Sequence, residues 1–271
     1  MNDTKDMITE ENQYGSMDLL KVPLIINLTF WVAKIITTAL GETFSDFIFF
    51  NDAIGQHAAI LIGLLSFAII LMIQFRTRKY TPWVYWLCVT SVSVFGTMLA
   101  DFMNKDLGIP LYASTLIFAL TQTAVFIAWY KTEHTLSIHS INTGRKEIFY
   151  WLTVLCTFGL GTAAGDFTAD TLGLGTLLST GIFLVLIAVP LVGYKFFGMN
   201  SIFAFWFAYT MTRPLGASFG DWLAVPAPYG DGLQLGTGIV SLGFGILMVI
   251  AVAYIDRQHR KENRLPEKAA A

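Results

Sequence analysis

A single frame repeated four times decides most of what this chain can fold into. Trp is followed ten residues later by Gly, four further on by a small residue, then by Asp and an aromatic. The copies read Trp31, Gly41, Ser45, Asp46, Phe47; Trp86, Gly96, Ala100, Asp101, Phe102; Trp151, Gly161, Gly165, Asp166, Phe167; and Trp206, Gly216, Gly220, Asp221, Trp222. Each copy must then be one supersecondary unit, and neighbouring units must stack to bury a shared interior. Successive aspartates are 55, 65 and 55 residues apart, the spacing that two rounds of duplication would leave.

Composition says where such units can live. Of 271 residues, 55% are hydrophobic and 13% charged, too apolar for a soluble domain of this size. Apolar segments of about twenty residues, the length of a membrane-crossing helix, fall at 24–46, 56–75, 83–101, 110–130, 148–166, 172–194, 201–223 and 233–255, two per copy. The expectation is an all-α integral membrane protein with eight transmembrane helices from four tandem two-helix repeats (24–75, 83–130, 148–194 and 201–255). These make one membrane domain over 23–255, between tails at 1–22 and 256–271.

The charges sort by side. Before the first span and between spans two and three, four and five, six and seven, and after the last, lie 14 of the 17 Lys and Arg; the opposite connections hold only Lys105. By the positive-inside rule both termini are expected in the cytoplasm. An even number of crossings per copy gives every repeat the same orientation, so the expected pseudo-symmetry axis runs along the membrane normal. A net charge of −2 offers no field for nucleic acid. The acidic, polar first twenty residues do not read as a signal peptide, so the first span is expected to be retained. Cys88 and Cys156 fall inside spans at different repeat positions and read as packed thiols.

Hydroxyls such as Thr37, Ser93, Thr157 and Thr210 concentrate in the odd spans, whereas the even spans are almost uniformly apolar. Hydroxyls cost less against protein than against lipid, which places odd spans inside and even spans outside. Counting back in fours from each Asp gives Thr38/Glu42/Asp46, Ser93/Thr97/Asp101, Phe158/Thr162/Asp166 and Arg213/Ala217/Asp221, each on one helix face. Gly41, Gly96, Gly161 and Gly216 fall on a neighbouring face, where small residues let backbones approach.

This arrangement, two spans and one fixed Trp per copy, resembles the bacterial tandem-repeat membrane proteins grouped as domain of unknown function 347, over about residues 25–255. The resemblance implies a multi-pass protein of the bacterial inner membrane and assigns no activity.

For the aspartates two readings stay open: caps in wet outer headgroups, or a converging cluster that binds a cation or carries protons. An Asp at the centre of a span costs about 2.5–3.5 kcal/mol, and Asn, Ser or Thr would cap as well, yet all four copies use Asp. Glu42 and Asp170 extend two of the stripes, and Arg213 is the candidate charge-balancing residue. Lys34 is expected to snorkel to the cytoplasmic edge. Trp31, Trp86, Trp151 and Trp206 are expected in an aromatic belt, with the aromatics after Asp forming the opposite one. No nucleotide, haem or catalytic motif is visible, so neither cofactor nor enzyme is expected. Oxygen ligands without His or paired Cys favour hard cations such as Mn²⁺, Mg²⁺ or Ca²⁺. The expected function is a transporter or exporter of a small cation coupled to protons, with Asp46, Asp101, Asp166 and Asp221 as ligands. Alternatives are an organic-cation transporter with cation–π contacts, an integral membrane enzyme acting on lipid, and a structural or partner-binding protein.

Overall fold

The computed structural model describes residues 20–269 apart from Leu24, Pro228 and Tyr229, with side chains as far as Glu262. Most of the expected N-terminal tail therefore lies outside the described residues. Among the described residues eight α-helices follow one another: α1 (Leu28–Phe49), α2 (Gln56–Arg76), α3 (Pro82–Asp101), α4 (Leu111–Glu133), α5 (Gly144–Asp166), α6 (Gly175–Phe197), α7 (Ser201–Ala224) and α8 (Thr237–Ala269). The last runs well past position 255, where the apolar segment ends.

Local sequence sets these boundaries. Asn27 caps α1 by accepting from the Phe30 N–H at 3.1 Å, and Asn200 caps α7 by accepting from Ile202 and Phe203 at 3.0 and 3.1 Å. Pro82 opens α3, where its missing N–H is harmless. Directly after Asp101 and Asp166 the chain widens into single π turns, Phe102–Asp106 and Phe167–Thr171. Each turn is followed by a Leu-Gly pair whose Gly, 108 or 173, has φ +66°, a conformation that favours glycine.

Among the described residues six helices are long and apolar enough to cross a membrane, which makes this a candidate multi-pass membrane protein. The remaining two, α1 and α7, hold Lys34, Glu42 and Asp46, and Arg213 and Asp221. The odd helices are inside. Within the apolar 18-residue stretch of each span, 72% and 61% of the residues are buried in the two odd spans among the six, α3 and α5, against 17–22% in α2, α4, α6 and α8. The inner helices touch in a closed ring, α1 to α3 to α5 to α7 and back to α1. Each outer helix packs mainly on the inner helix that follows it, α2 on α3, α4 on α5 and α6 on α7, while α8 returns to α1. The repeats thus interlock rather than fold as separate hairpins.

The repeated glycines explain how the ring closes. A Cβ on Gly41 would strike Ser93, one on Gly96 would strike Phe158, one on Gly161 would strike Arg213 and Pro214, and one on Gly216 would strike Thr38. In every case the intruding residue stands eight before the Asp of the next repeat, and the fourth contact returns to the first. Four notches of identical register therefore seat four neighbours. Cys88 and Cys156 are free and buried, as packed thiols should be.

The tryptophans do not form a lipid-facing belt. Trp86, Trp151 and Trp206 are buried in the core and Trp31 is partly buried against it. The aromatic before each Trp packs on the Trp of the next repeat: Phe30 on Trp86 at 5.5 Å between centroids, Tyr85 on Trp151 at 5.8 Å, Tyr150 on Trp206 at 6.1 Å and Phe205 on Trp31 at 5.8 Å. The Tyr85 and Tyr150 hydroxyls share a hydrogen bond at 2.6 Å. Eight rings close this end. A Trp fifteen residues before Asp lies only about 60° from it around a 3.6-residue helix, hence on the interior face.

Candidate cation site

Above the aromatic layer the stripes stack into four levels. The first holds Lys34, fully buried, its Nζ 4.2 Å from the ring centroids of both Phe158 and Tyr209. It does not snorkel to an edge. The reason is position: Lys34 continues the Thr38/Glu42/Asp46 stripe by one more turn, so its side chain starts on the inner face.

One turn higher, Arg213 reaches across the ring from α7. Its guanidinium donates to the Thr38 carbonyl at 3.0 Å, to Thr162 Oγ1 at 2.6 Å, and to Thr97 Oγ1 and Glu42 Oε2. Arg213 is fully buried and Glu42 is 3% exposed. Thr97 and Thr162 also donate to Glu42 Oε2, at 3.4 and 3.2 Å. All four inner helices meet here, around the ion pair of Arg213 with Glu42. A buried ion pair of this kind is costly to break, at about 3–5 kcal/mol when one partner is removed. Phe158 fits the same scheme, for its ring lies 5.4 Å from the guanidinium carbon as well as under Lys34.

The third level is the aspartates, and the structure divides them. Carboxylate oxygens of Glu42, Asp46 and Asp221 lie within 4.8 Å of one another. Asp46 is 8% exposed, and among the described residues its Oδ1 and the Oδ1 of Asp221 have no hydrogen-bond partner. Asp101, fully buried, is instead held by Lys105 at 2.6 Å across one helical turn. Asp166 is half-buried and within electrostatic reach of Glu42, Asp101, Asp170 and Lys105. The carboxylates do not cap helix ends: no side-chain capping bond forms at Asp101 or Asp166, where the helix passes into its π turn. Asp170 sits exposed on the second π turn, outside the buried group.

Lys105 is the fourth level and the residue that the sequence reading missed. Its ammonium spans from Asp101 to the face of Phe50, 4.6 Å from that ring's centroid, and interacts electrostatically with Asp46 and Asp166. With 42% of its side chain exposed it is the part of the cluster open to the surroundings. Two signals pointed to it: the i,i+4 spacing from Asp101, and its standing as the lone basic residue of its face.

A family model described as Repeat of Unknown Function (DUF347) matches residues 29–80, 84–135, 149–199 and 204–261. The chain belongs to this family. Its four matched segments coincide with the four interlocking units, each containing the Trp, the notch glycine and the Asp of one copy of the repeated frame. Nothing among curated proteins or solved structures matches the chain. The family thus gives the architecture, and the chemistry has to be read from residues that only one copy carries: Lys34, Glu42, Lys105 and Arg213.

Proposed function

We propose that this protein is a secondary transporter or exporter that binds a small hard cation, with a divalent metal such as Mn²⁺ the best match, at Glu42, Asp46 and Asp221 and exchanges it for protons. The observation that carries this reading is the triad of carboxylates with oxygens within 4.8 Å of one another, two of which, Asp46 and Asp221, each have a buried oxygen without a hydrogen-bond partner. Metal–oxygen bonds of about 2.0–2.6 Å set oxygens on opposite sides of an ion about 4–5 Å apart, a spacing that the triad matches. Glu42 is also the partner of Arg213, so an ion in the triad and the guanidinium compete for the same carboxylate. Asp101 and Asp166 supply further negative potential, and Lys105 screens it.

In this reading the chain crosses the bacterial inner membrane eight times, with both termini cytoplasmic and the ring axis along the membrane normal. The distribution of 14 of 17 Lys and Arg supports that orientation. The carboxylate end then faces outward and the aromatic end inward, and transport requires the eight-ring layer to part.

Proteoliposomes loaded with a pH-sensitive dye test the proposal. An imposed Mn²⁺ gradient should drive protons the opposite way, and Asp46→Asn and Asp221→Asn should lower that flux at least tenfold while remaining folded. Asn serves nearly as well as Asp at a structural cap, so full activity in both variants would overturn the site.

A further inference from the structure

We infer that Lys34 is the proton-carrying group of this exchange, a site of its own one helical turn below Arg213. The inference rests on the cation reading above and adds to it the group that gives up the proton.

Lys34 is fully buried and, among the described residues, its Nζ has no hydrogen-bond acceptor. Three donors are unused. What holds the nitrogen is the two aromatic faces of Phe158 from α5 and Tyr209 from α7. The charged group within electrostatic reach is Arg213, of like sign. The other elements bring nothing to balance an ammonium. Between Pro82 and Ala100, α3 has no charged residue and two ionisable ones, Tyr85 and Cys88. Between Thr237 and Ile255, α8 has only Tyr254. On α5, Tyr150 bonds Tyr85, Cys156 is a buried thiol, Glu147 is taken by Lys21 at 2.8 Å, and Asp166 stands two levels away in the carboxylate group.

Cation–π attraction in a desolvated site offers about 2 kcal/mol, against several kcal/mol to strip an ammonium of water. A nearby change of charge therefore decides whether the nitrogen carries its proton. Arg213 transmits that change. With the triad empty, the guanidinium is neutralised by Glu42, and Lys34 tolerates its charge. A divalent ion in the triad engages Glu42 and leaves Arg213 uncompensated one turn from Lys34. The ammonium then releases one proton to water and remains as a neutral amine; when the ion leaves, Arg213 pairs with Glu42 again and the amine regains a proton. Ion and proton exclude each other across two levels, and by reciprocity the proton weakens the ion as much as the ion weakens the proton.

The test uses purified full-length protein in weakly buffered detergent, with bound Mn²⁺ counted by loss of the free-ion EPR signal and released protons by a pH dye. Lys34→Met should bind Mn²⁺ at least as tightly as the wild type and release about one proton fewer per ion. Lys34→Arg, which keeps a charge that it does not surrender, should also release about one fewer and bind Mn²⁺ at least tenfold more weakly. Proton release equal to wild type in either folded variant overturns the role of Lys34 and leaves the cation site standing. A wild-type protein that binds no Mn²⁺ removes the cation reading and this inference with it.

Discussion

At the aromatic end each repeat supplies the same kind of pair, an aromatic and a Trp, and the four contacts close with centroid distances of 5.5–6.1 Å. At the carboxylate end each repeat again supplies one residue, an Asp, but the surroundings are unlike. Asp46 and Asp221 join Glu42, Asp101 pairs with Lys105, and Asp166 stands half-buried. The difference separates scaffold from chemistry. Residues present in all four copies build the ring, and residues present in one copy make its charges unequal. An evenly fourfold set of aspartates would repel itself without preferring a place; Glu42 from the first repeat and Arg213 from the fourth select one.

The comparison breaks first if the repeated glycines are not structural. Gly161→Leu would drive a side chain into Arg213 and Pro214, so it should abolish the folded monodisperse peak in size-exclusion chromatography. Gly181→Leu, on the outer helix α6 with open space around it, should elute as wild type. Equal tolerance would mean that the inner ring is not held by its notches.

Next in size is the charge pair. Glu42→Gln leaves Arg213 buried without its counter-charge and should cost about 3–5 kcal/mol in thermal unfolding. Adding Arg213→Gln should recover part of that loss, whereas strictly additive losses would mean that the two side chains do not act as a pair. At the aromatic end, Tyr85→Phe removes one buried hydroxyl contact and should cost about 1 kcal/mol, without changing Mn²⁺ binding. A binding change would show that the two ends are not separable.

The smallest stability effect belongs to Lys105→Met. Its ammonium is partly exposed, and Asp101, left buried without it, can take up a proton instead of staying charged; removing a positive charge beside the triad should tighten Mn²⁺ severalfold. Weaker binding instead would make Lys105 a supporting part of the site rather than a competitor for it.

Much of this was legible in the sequence. The frame gave the number of units, the hydroxyls told inner helices from outer ones, and the i,i+4 stripes named Glu42, Arg213 and the aspartates, though not Lys34 or Lys105. Trp depth alone suggested a belt, because depth does not say which way a ring points; the fifteen-residue offset from Asp does, through the helical period. For Lys34, nearness to the start of α1 suggests an edge, but its place on the Thr38/Glu42/Asp46 stripe points it inward. The docking of each outer helix on the next repeat was not legible, since it depends on how the notches engage. Nor was the splitting of the aspartates, which depends on where Arg213 and Lys105 reach in three dimensions.

The most direct measurement is an experimental structure with Mn²⁺ present, using anomalous scattering to locate the ion. The account predicts one peak enclosed by Glu42, Asp46 and Asp221, lost in Asp46→Asn. Anomalous signal absent from that triad at saturating Mn²⁺, or unchanged in Asp46→Asn, would contradict it.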